Sequence, residues 1–202
     1  MGISEHLDKS LKQDRGFSSP FKVCYFTPFD DEFYQSVLAN LPGDECYQDL
    51  PHEDAMRPDG TSTRTALLLD KFAPPFWREL SSVLCGAEVE GIFRQALGFA
   101  GPVRAVARLL RDFAGYRISP HPDSSKKACT VQFYLPADDT QADLGTSFYS
   151  RNADGSFIEA RKLPFMPNTG YCFKVADNSW HGCNFAVLDR PRDSLILTYY
   201  RA

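Results

Sequence analysis

The chain has 202 residues, a formal net charge of −4, 43% hydrophobic residues and 24% charged residues. This length suits one globular domain that buries about two-thirds of its unfolded surface. Because the net charge is negative and there is no basic run, nucleic acid is not an expected partner. No apolar run approaches the roughly 18–20 residues of a membrane helix, so a membrane partner is not expected either.

The N-terminal residues and the cysteines indicate a cytoplasmic protein. Residues 1–18 are polar and mixed in charge, without the apolar core of a secretory signal. We expect this segment to be a flexible, solvated N-terminus. The six cysteines include no CxxC pair, which predicts reduced and mostly buried thiols.

Residues 19–102 are predicted to be mostly helical. A short strand is expected along PFKVCYF, and Asp30 is expected to cap a helix along DEFYQSVLANL. Two more helices are predicted along FWRELSSVLC and AEVEGIFRQALG. Residues 43–64 are polar and rich in turns, so they form either a substrate-binding lid or a plain connection. We interpret His52-Glu53-Asp54 within them as a solvated loop.

After Pro102 the sequence changes to short β-type runs. About eight of them follow, including CTVQFYL, GYCFKV and SLILTYY, with turn residues between them. This spacing predicts a β-sandwich or barrel. We therefore expect an α+β, mainly β fold: a double-stranded β-helix (jelly roll) over 103–202, with the helices of 19–102 packed on the outside. No linker composition separates the halves, so residues 19–202 are expected to form a single domain.

Three side chains in this β half form a candidate metal site. His121 and Asp123 flank one proline, and side chains two apart in extended chain lie on the same side. His181, from a later strand, would complete a set of two imidazoles and one carboxylate. Non-haem Fe(II) oxygenases use this facial triad, which leaves coordination positions open. A lone HxD is common in proline turns, and the second histidine favours the metal site.

Arg192 and Ser194 lie at the start of the last β-type run, LILTYY. They share one face of an extended strand. A guanidinium there can pair bidentately with a carboxylate, and the hydroxyl can add a hydrogen bond. The alternative is an exposed surface arginine at the beginning of a strand.

The ordered set HPD at 121–123, His181, ten intervening residues and then Arg192-x-Ser194 resembles the Fe(II)- and 2-oxoglutarate-dependent dioxygenase superfamily. The nearer likeness is to its prolyl-4-hydroxylase-like branch and small bacterial members. The stretches GYRISPHPDSSKKACTVQFYLP and LGTSFY resemble family segments, and the likeness covers most of residues 20–202. One departure is the single Gly145 before Thr146, where many relatives have two glycines.

The resemblance implies an enzyme with Fe(II) as cofactor, 2-oxoglutarate and O₂ as cosubstrates and ascorbate as a reductant. It implies that the triad binds iron and that the catalytic Arg192, assisted by Ser194, binds the distal carboxylate of 2-oxoglutarate. Thr130, Gln132 and Tyr134 alternate on one strand face, and Thr130 or Tyr134 is expected to bond the cosubstrate. Related halogenases have Gly or Ala in the place of the aspartate, so Asp123 favours hydroxylation.

The sequence says least about which residues contact the substrate. Arg117 lies four residues before His121, so in an extended strand the two side chains are on the same face. Arg117 therefore either faces the pocket or forms a salt bridge at its rim. Trp180 is either a substrate contact or a packing wall. We expect a small-molecule substrate that is hydroxylated as succinate and CO₂ are released. A peptide hydroxylase, an inactive metal- or 2-oxoglutarate-binding module and a metal oxygenase without cosubstrate stay open, as does a homodimer.

Overall fold

A computed structural model describes residues 2–51, 53–185 and 188–202. His52 therefore lies outside the described residues. The helices are α1 (Ile3–Lys12), α2 (Asp31–Ala39), α3 (Pro75–Leu84) and α4 (Ala87–Leu97). The strands are β1 (Cys24–Phe26), β2 (Gln48–Asp49), β3 (Arg64–Leu68), β4 (Val103–Asp112), β5 (Tyr116–His121), β6 (Lys127–Tyr134), β7 (Ser147–Arg151), β8 (Phe157–Lys162), β9 (Thr169–Lys174), β10 (His181–Phe185) and β11 (Arg192–Arg201).

The strands form two antiparallel sheets. The larger has seven strands in the order β1-β9-β6-β11-β4-β3-β2, and the smaller has four in the order β5-β10-β7-β8. A buried aromatic cluster joins them, since Phe148 of β7 packs with Tyr171 and Phe173 of β9. One face of the large sheet therefore lies against the small sheet.

The helices cover the other face of the large sheet. Alternate residues of its strands, such as Leu109, Val131 and Leu197, share one core with Trp77 of α3 and Phe93 of α4. Because side chains in a strand alternate between faces, the neighbouring positions point toward the small sheet. The expectation of a mainly β protein with helices on the outside is confirmed. None of the helices in the described residues is long and apolar enough to cross a bilayer.

Local sequence signals place the helix ends. The Asp30 carboxylate accepts a hydrogen bond from the Phe33 backbone N–H at 2.9 Å, as predicted for a helix cap. Helix α4 ends at Gly98, whose φ of 65° is in the left-handed region that glycine adopts without strain. The helices predicted along FWRELSSVLC and AEVEGIFRQALG are both present.

The N-terminus differs from the flexible segment expected over residues 1–18. Ile3–Lys12 is helical, with Leu7 and Leu11 buried and Ile3 packed against the same core. These three residues recur every fourth position, so they form one apolar stripe that docks onto the other helices. Burial of that stripe stabilises a helix whose sequence is otherwise polar.

The described residues of the 43–64 segment include short elements and contact the rest of the domain at several points. Two 3₁₀ turns, Asp44–Cys46 and Glu53–Ala55, lie on either side of β2. Arg111 forms an ion pair with Asp44. The Asp54 carboxylate accepts a hydrogen bond from the Ser119 backbone N–H at 3.0 Å, close to the end of β5.

Candidate metal centre and its cavity

The three predicted metal ligands converge, and they are called the metal triad below. His121 ends β5 and is the register partner of His181, which begins β10. Asp123 follows two residues after His121, and its Oδ2 lies 4.0 Å from Nε2 of His181. The candidate ligand atoms of all three lie within 4.8 Å of one another. Since metal–ligand bonds to nitrogen and oxygen are about 2.1 Å long, small side-chain rotations bring all three onto one ion.

Both imidazoles are oriented by backbone carbonyls two residues before them. Nδ1 of His121 lies 2.9 Å from the Ser119 carbonyl oxygen, and Nδ1 of His181 lies 2.9 Å from the Ser179 carbonyl oxygen. A carbonyl only accepts, so each Nδ1 carries the proton and donates it. Each Nε2 is then left with a lone pair for a metal, the arrangement usual in metal-binding histidines.

The charge states also suit a metal. Burial lowers the pKa of His181 to about 4, although the Asp123 carboxylate acts in the opposite direction. The imidazole is therefore neutral near pH 7, as a ligand must be. Burial raises the pKa of Asp123, but the charge that His181 carries when it is protonated, the charge of Lys127 and hydrogen bonds from Lys127 and Thr130 outweigh it and hold the pKa below its usual value.

Two side chains of β6 hold Asp123. The Thr130 hydroxyl donates to Oδ2 at 2.6 Å, and the Lys127 ammonium forms an ion pair with Oδ1. The threonine bond orients the carboxylate, while the lysine balances its charge. The oxygen that lies 4.0 Å from His181 is Oδ2, so the lysine pairs with the other oxygen of the carboxylate.

A cavity of ≈ 150 Å³ lies between the two sheets beside the metal triad. The small sheet and the turn after β5 supply the triad, and the large sheet supplies much of the facing wall. That wall includes Arg64, Leu110, Thr130, Gln132 and Ile196. Polar groups thus lie at several points of the cavity wall, with apolar side chains between them.

Two arginines share one buried carboxylate next to this cavity, and the three residues are called the arginine cluster. Asp112 Oδ1 accepts from Nε of Arg64 at 2.5 Å. Its Oδ2 accepts from Nη2 of Arg64 and from Nη1 of Arg192, both at 3.0 Å. Arg192 also donates from Nε to the Leu144 carbonyl at 2.9 Å. The cluster carries two positive charges and one negative charge.

A chain of hydrogen bonds lies between the cluster and the rest of the cavity wall. Gln132 donates to Ser194 at 2.9 Å and accepts from the Tyr171 hydroxyl at 2.6 Å. Tyr171 also accepts from the Thr146 hydroxyl at 3.1 Å, and Thr146 accepts from Tyr134 at 2.9 Å. These bonds satisfy the buried polar groups and fix the side chains that face the cavity.

Some of the residues predicted to bind the cosubstrate line the cavity, and others are buried behind its wall. Thr130 and Gln132 line the cavity, as the alternation along β6 predicts. Arg192, Ser194 and Tyr134 are buried and are not among the cavity-lining residues. Their roles toward 2-oxoglutarate stay predictions.

The predicted substrate residues lie away from the cavity. Arg117 is exposed, because the pairing of β5 with β10 shifts between His181 and Cys183. His181 pairs with His121 and Cys183 pairs with Ile118, so β5 has one more residue than β10 over this interval. Such a bulge inverts the alternation, so Ile118 shares the cavity with His121 while Arg117 does not. Trp180 packs on Phe157, with ring centroids 4.8 Å apart.

Several residues of the site have no counterpart in the sequence-based prediction. Lys127 is four residues after Asp123, and this short separation could have suggested their ion pair. Arg64 and Asp112 had none, because their contact depends on the pairing of β3 with β4. Tyr171 reaches the cavity wall through the pairing of β9 with β6.

Comparison with known proteins supports the fold assignment. No protein-family model and no curated protein matches the chain. A solved prolyl-4-hydroxylase from Pseudomonas putida is similar, with a TM-score of 0.61 and 14% identity over 99% of each chain. The non-heme alpha-ketoglutarate-dependent carbocyclase SnoK from nogalamycin biosynthesis gives 0.62 and 12%, covering 100% of this chain and 87% of SnoK.

A third solved structure is a prolyl hydroxylase from Trichoplax adhaerens in complex with a hypoxia inducible factor peptide fragment. It gives a TM-score of 0.57 and 14% identity, covering 98% of this chain and 89% of that one. The TM-scores establish a common fold, and identities of 12–14% support nothing finer than the fold. The chain therefore has the fold of these prolyl hydroxylases and of SnoK over nearly its whole length.

Proposed function

We propose that this chain, which has the fold of the prolyl hydroxylases and of SnoK, is an Fe(II)- and 2-oxoglutarate-dependent oxygenase. Its reaction is the hydroxylation of a C–H bond in a small metabolite or biosynthetic intermediate, with release of succinate and CO₂. The convergence of His121, Asp123 and His181 on one cavity carries this proposal. The proposal includes a jelly-roll arrangement of the two sheets and a single domain over 19–202.

The donor set fits Fe(II). Two neutral imidazoles and one carboxylate form a low-charge site in which coordination positions stay open. Iron and 2-oxoglutarate bound there would supply the oxidation, in which O₂ is consumed as the cosubstrate is decarboxylated to succinate. The chain's own contribution is to orient the ligands: the Ser119 and Ser179 carbonyls hold the imidazoles, and Thr130 holds the carboxylate.

The charges around the cavity support a dicarboxylate cosubstrate. One carboxylate of 2-oxoglutarate would lie at the metal triad, and the second requires a cation at a distance from it. The arginine cluster has an excess of one positive charge and borders the cavity through Arg64. Apolar side chains such as Leu110 and Ile196 between these two charged regions would exclude water and strengthen the electrostatic contacts.

A small substrate is favoured over a peptide by the covering of the site. Ala55, in the 43–64 segment, is buried against Tyr116 and Phe185 of the small sheet, and Asp54 bonds to Ser119 beside His121. This segment therefore packs directly on the strand that supplies one metal ligand. An extended peptide would need an open groove there.

The test is succinate formation from 2-oxoglutarate by the protein loaded with Fe(II) in the presence of ascorbate. Binding is followed separately by the visible absorption band that forms when 2-oxoglutarate is added without O₂. We expect both signals, and their loss in the His181→Ala variant. If the iron-loaded protein shows neither signal, the proposal is rejected. A band without succinate across candidate substrates would instead support an inactive binding module.

A further inference from the structure

The cavity-facing side of the large sheet continues beyond the part that the small sheet covers. Along β4 the side chains on this side are those of Asp112, Leu110, Arg108, Val106 and Arg104. The first two are buried, the next two are half-buried and the last is exposed. This face therefore passes from the enclosed interior into solvent as β4 is followed back toward its beginning.

The alternation of side chains is intact along this strand. β4 pairs with β11 over its whole length without a register shift, in contrast to the pairing of β5 with β10. Leu110 lines the cavity, so Arg108, two residues away, projects from the same face. Ala107 and Leu109 project from the other face and pack in the core that includes the helices. No bulge turns Arg108 away from the cavity side.

Arg108 lies two strands away from the residue that orients the metal-binding carboxylate. It pairs with Ile196 of β11, which lines the cavity and pairs with Gln132 of β6. Thr130, two residues before Gln132, donates to Asp123. Two strand spacings cover roughly 10 Å. Arg108 is therefore at the border of the cavity, within the length of a small organic molecule from the metal triad.

The solvent-exposed part of this face has positive charge that no carboxylate of the described residues neutralises. Neither Arg104 nor Arg108 forms an ion pair in this part of the chain. The guanidinium of Arg104 lies over the ring of Tyr200, 5.8 Å from its centre. Because the chain as a whole has a net charge of −4, this local excess is opposite in sign to the molecule and attracts anions.

Apolar side chains surround Arg108 on the same face. Val106 lies between the two arginines along β4, Ile196 is the register partner of Arg108 on one side, and Leu68 of β3 is its partner on the other. Leu68 is 44% exposed. Isolated apolar side chains at a surface are ordinary, but here they border a cavity and an unpaired arginine. A ligand that matches this surface has an anionic group and an apolar body.

We propose that Arg108 binds a carboxylate or phosphate group of the substrate, whose apolar carbon skeleton lies over Val106 and Ile196 toward the metal triad. This inference rests on the proposed function and specifies its substrate class: an anionic small molecule that reacts at a carbon distant from the oxyanion. The guanidinium fork matches two oxygens of either oxyanion. Arg104 adds a second positive charge at the open end of the same face.

The experiment uses three probes that share one apolar chain: octanoate, octyl phosphate and octan-1-ol. Calorimetric titration measures their affinities for the protein saturated with Fe(II) and 2-oxoglutarate without O₂, and for the protein free of both. We expect the wild type to bind at least one of the anions about 10-fold or more tightly than the alcohol, as hydrogen bonds between charged groups predict. The anion that binds more tightly identifies the group as carboxylate or phosphate.

Matched variants assign this preference to one side chain. Arg108→Met keeps an apolar side chain and removes the charge, so the preference should fall to nearly one. Arg108→Lys keeps the charge without the fork and should retain part of it. Arg201→Met is the control, because Arg201 is an exposed arginine of β11 that has the same parity as Tyr199 and so lies on the opposite face of the sheet. Affinity for the alcohol should be equal in all four proteins, and thermal unfolding verifies that each is folded.

The outcomes for the anion site and for the oxygenase are separate. The proposal is overturned if the wild type prefers neither anion, if Arg108→Met retains the preference, or if Arg201→Met loses it to the same extent. The visible band with 2-oxoglutarate and the succinate assay are measured on the same samples. An Arg108-dependent preference in a protein without either signal rejects the oxygenase and supports the anion site. Both signals in a wild type without the preference reject the anion site alone.

Discussion

The metal triad and the arginine cluster are built in opposite ways, although both lie beside one cavity. The triad comes from the paired ends of two neighbouring strands and from the turn after one of them, and one residue separates two of its three members. The arginine cluster takes one charged residue from each of three strands that are distant in sequence. Short spacing makes the triad visible as a motif. The cluster exists only because three strands pair in one register.

The metal triad and the arginine cluster should respond differently when each loses its carboxylate. Asp123→Ala removes one of three candidate metal ligands in a site that is otherwise intact. We expect iron affinity and succinate formation to fall by more than about 100-fold, beyond the effect of losing a residue that only orients a ligand. Iron titration and a succinate assay measure this. Asp143→Ala, at an exposed position, is the control, and normal iron binding by Asp123→Ala would contradict the assignment.

In the arginine cluster the loss of the carboxylate affects stability as well. Asp112→Asn leaves two buried cations without their shared partner, so we expect a decrease of about 3–5 kcal/mol in the free energy of unfolding. Urea unfolding followed by circular dichroism measures it. Asp138→Asn makes the same change in an exposed pair with Arg190, where the effect should be much smaller. Equal effects in the two variants would show that the cluster has no special role in stability.

A smaller effect is expected from the residue that orients Asp123. Thr130→Val removes the hydroxyl that donates to Oδ2 at 2.6 Å and keeps the shape of the side chain. We expect iron affinity to fall by about 10-fold, measured by competition with a metal chelator. Thr140→Val changes an exposed threonine that bonds to Asp138 and serves as the control. If Thr130→Val lowers the affinity for 2-oxoglutarate and not for iron, the residue contacts the cosubstrate as the sequence suggested.

The smallest effect is expected at Arg117. The side chain is exposed and lies outside the cavity wall, so Arg117→Ala should change KM for the substrate by less than about twofold, as is usual at surface positions. Steady-state kinetics with an identified substrate measures it. A larger rise in KM would support the sequence-based expectation that Arg117 faces the pocket.

Much of the fold follows from periodicity along the chain. Helices α2, α3 and α4 and the succession of strands after Pro102 lie where the apolar spacing predicts them. The N-terminal helix α1 was not predicted, although Ile3, Leu7 and Leu11 have helical spacing. Its polar composition suggested a solvated segment, whereas burial of Leu7 and Leu11, with Ile3 packed beside them, was enough to order it.

The sequence by itself was enough to predict the three candidate ligands, since a two-residue spacing in extended chain places His121 and Asp123 on one side and a later strand can supply His181. It did not determine which other side chains share their cavity. The bulge in β5 inverts the alternation and turns Arg117 outward. The pairing of β3, β4 and β11 brings Arg64 and Arg192 to Asp112. Both results depend on strand register, which long-range pairing decides and local spacing does not encode.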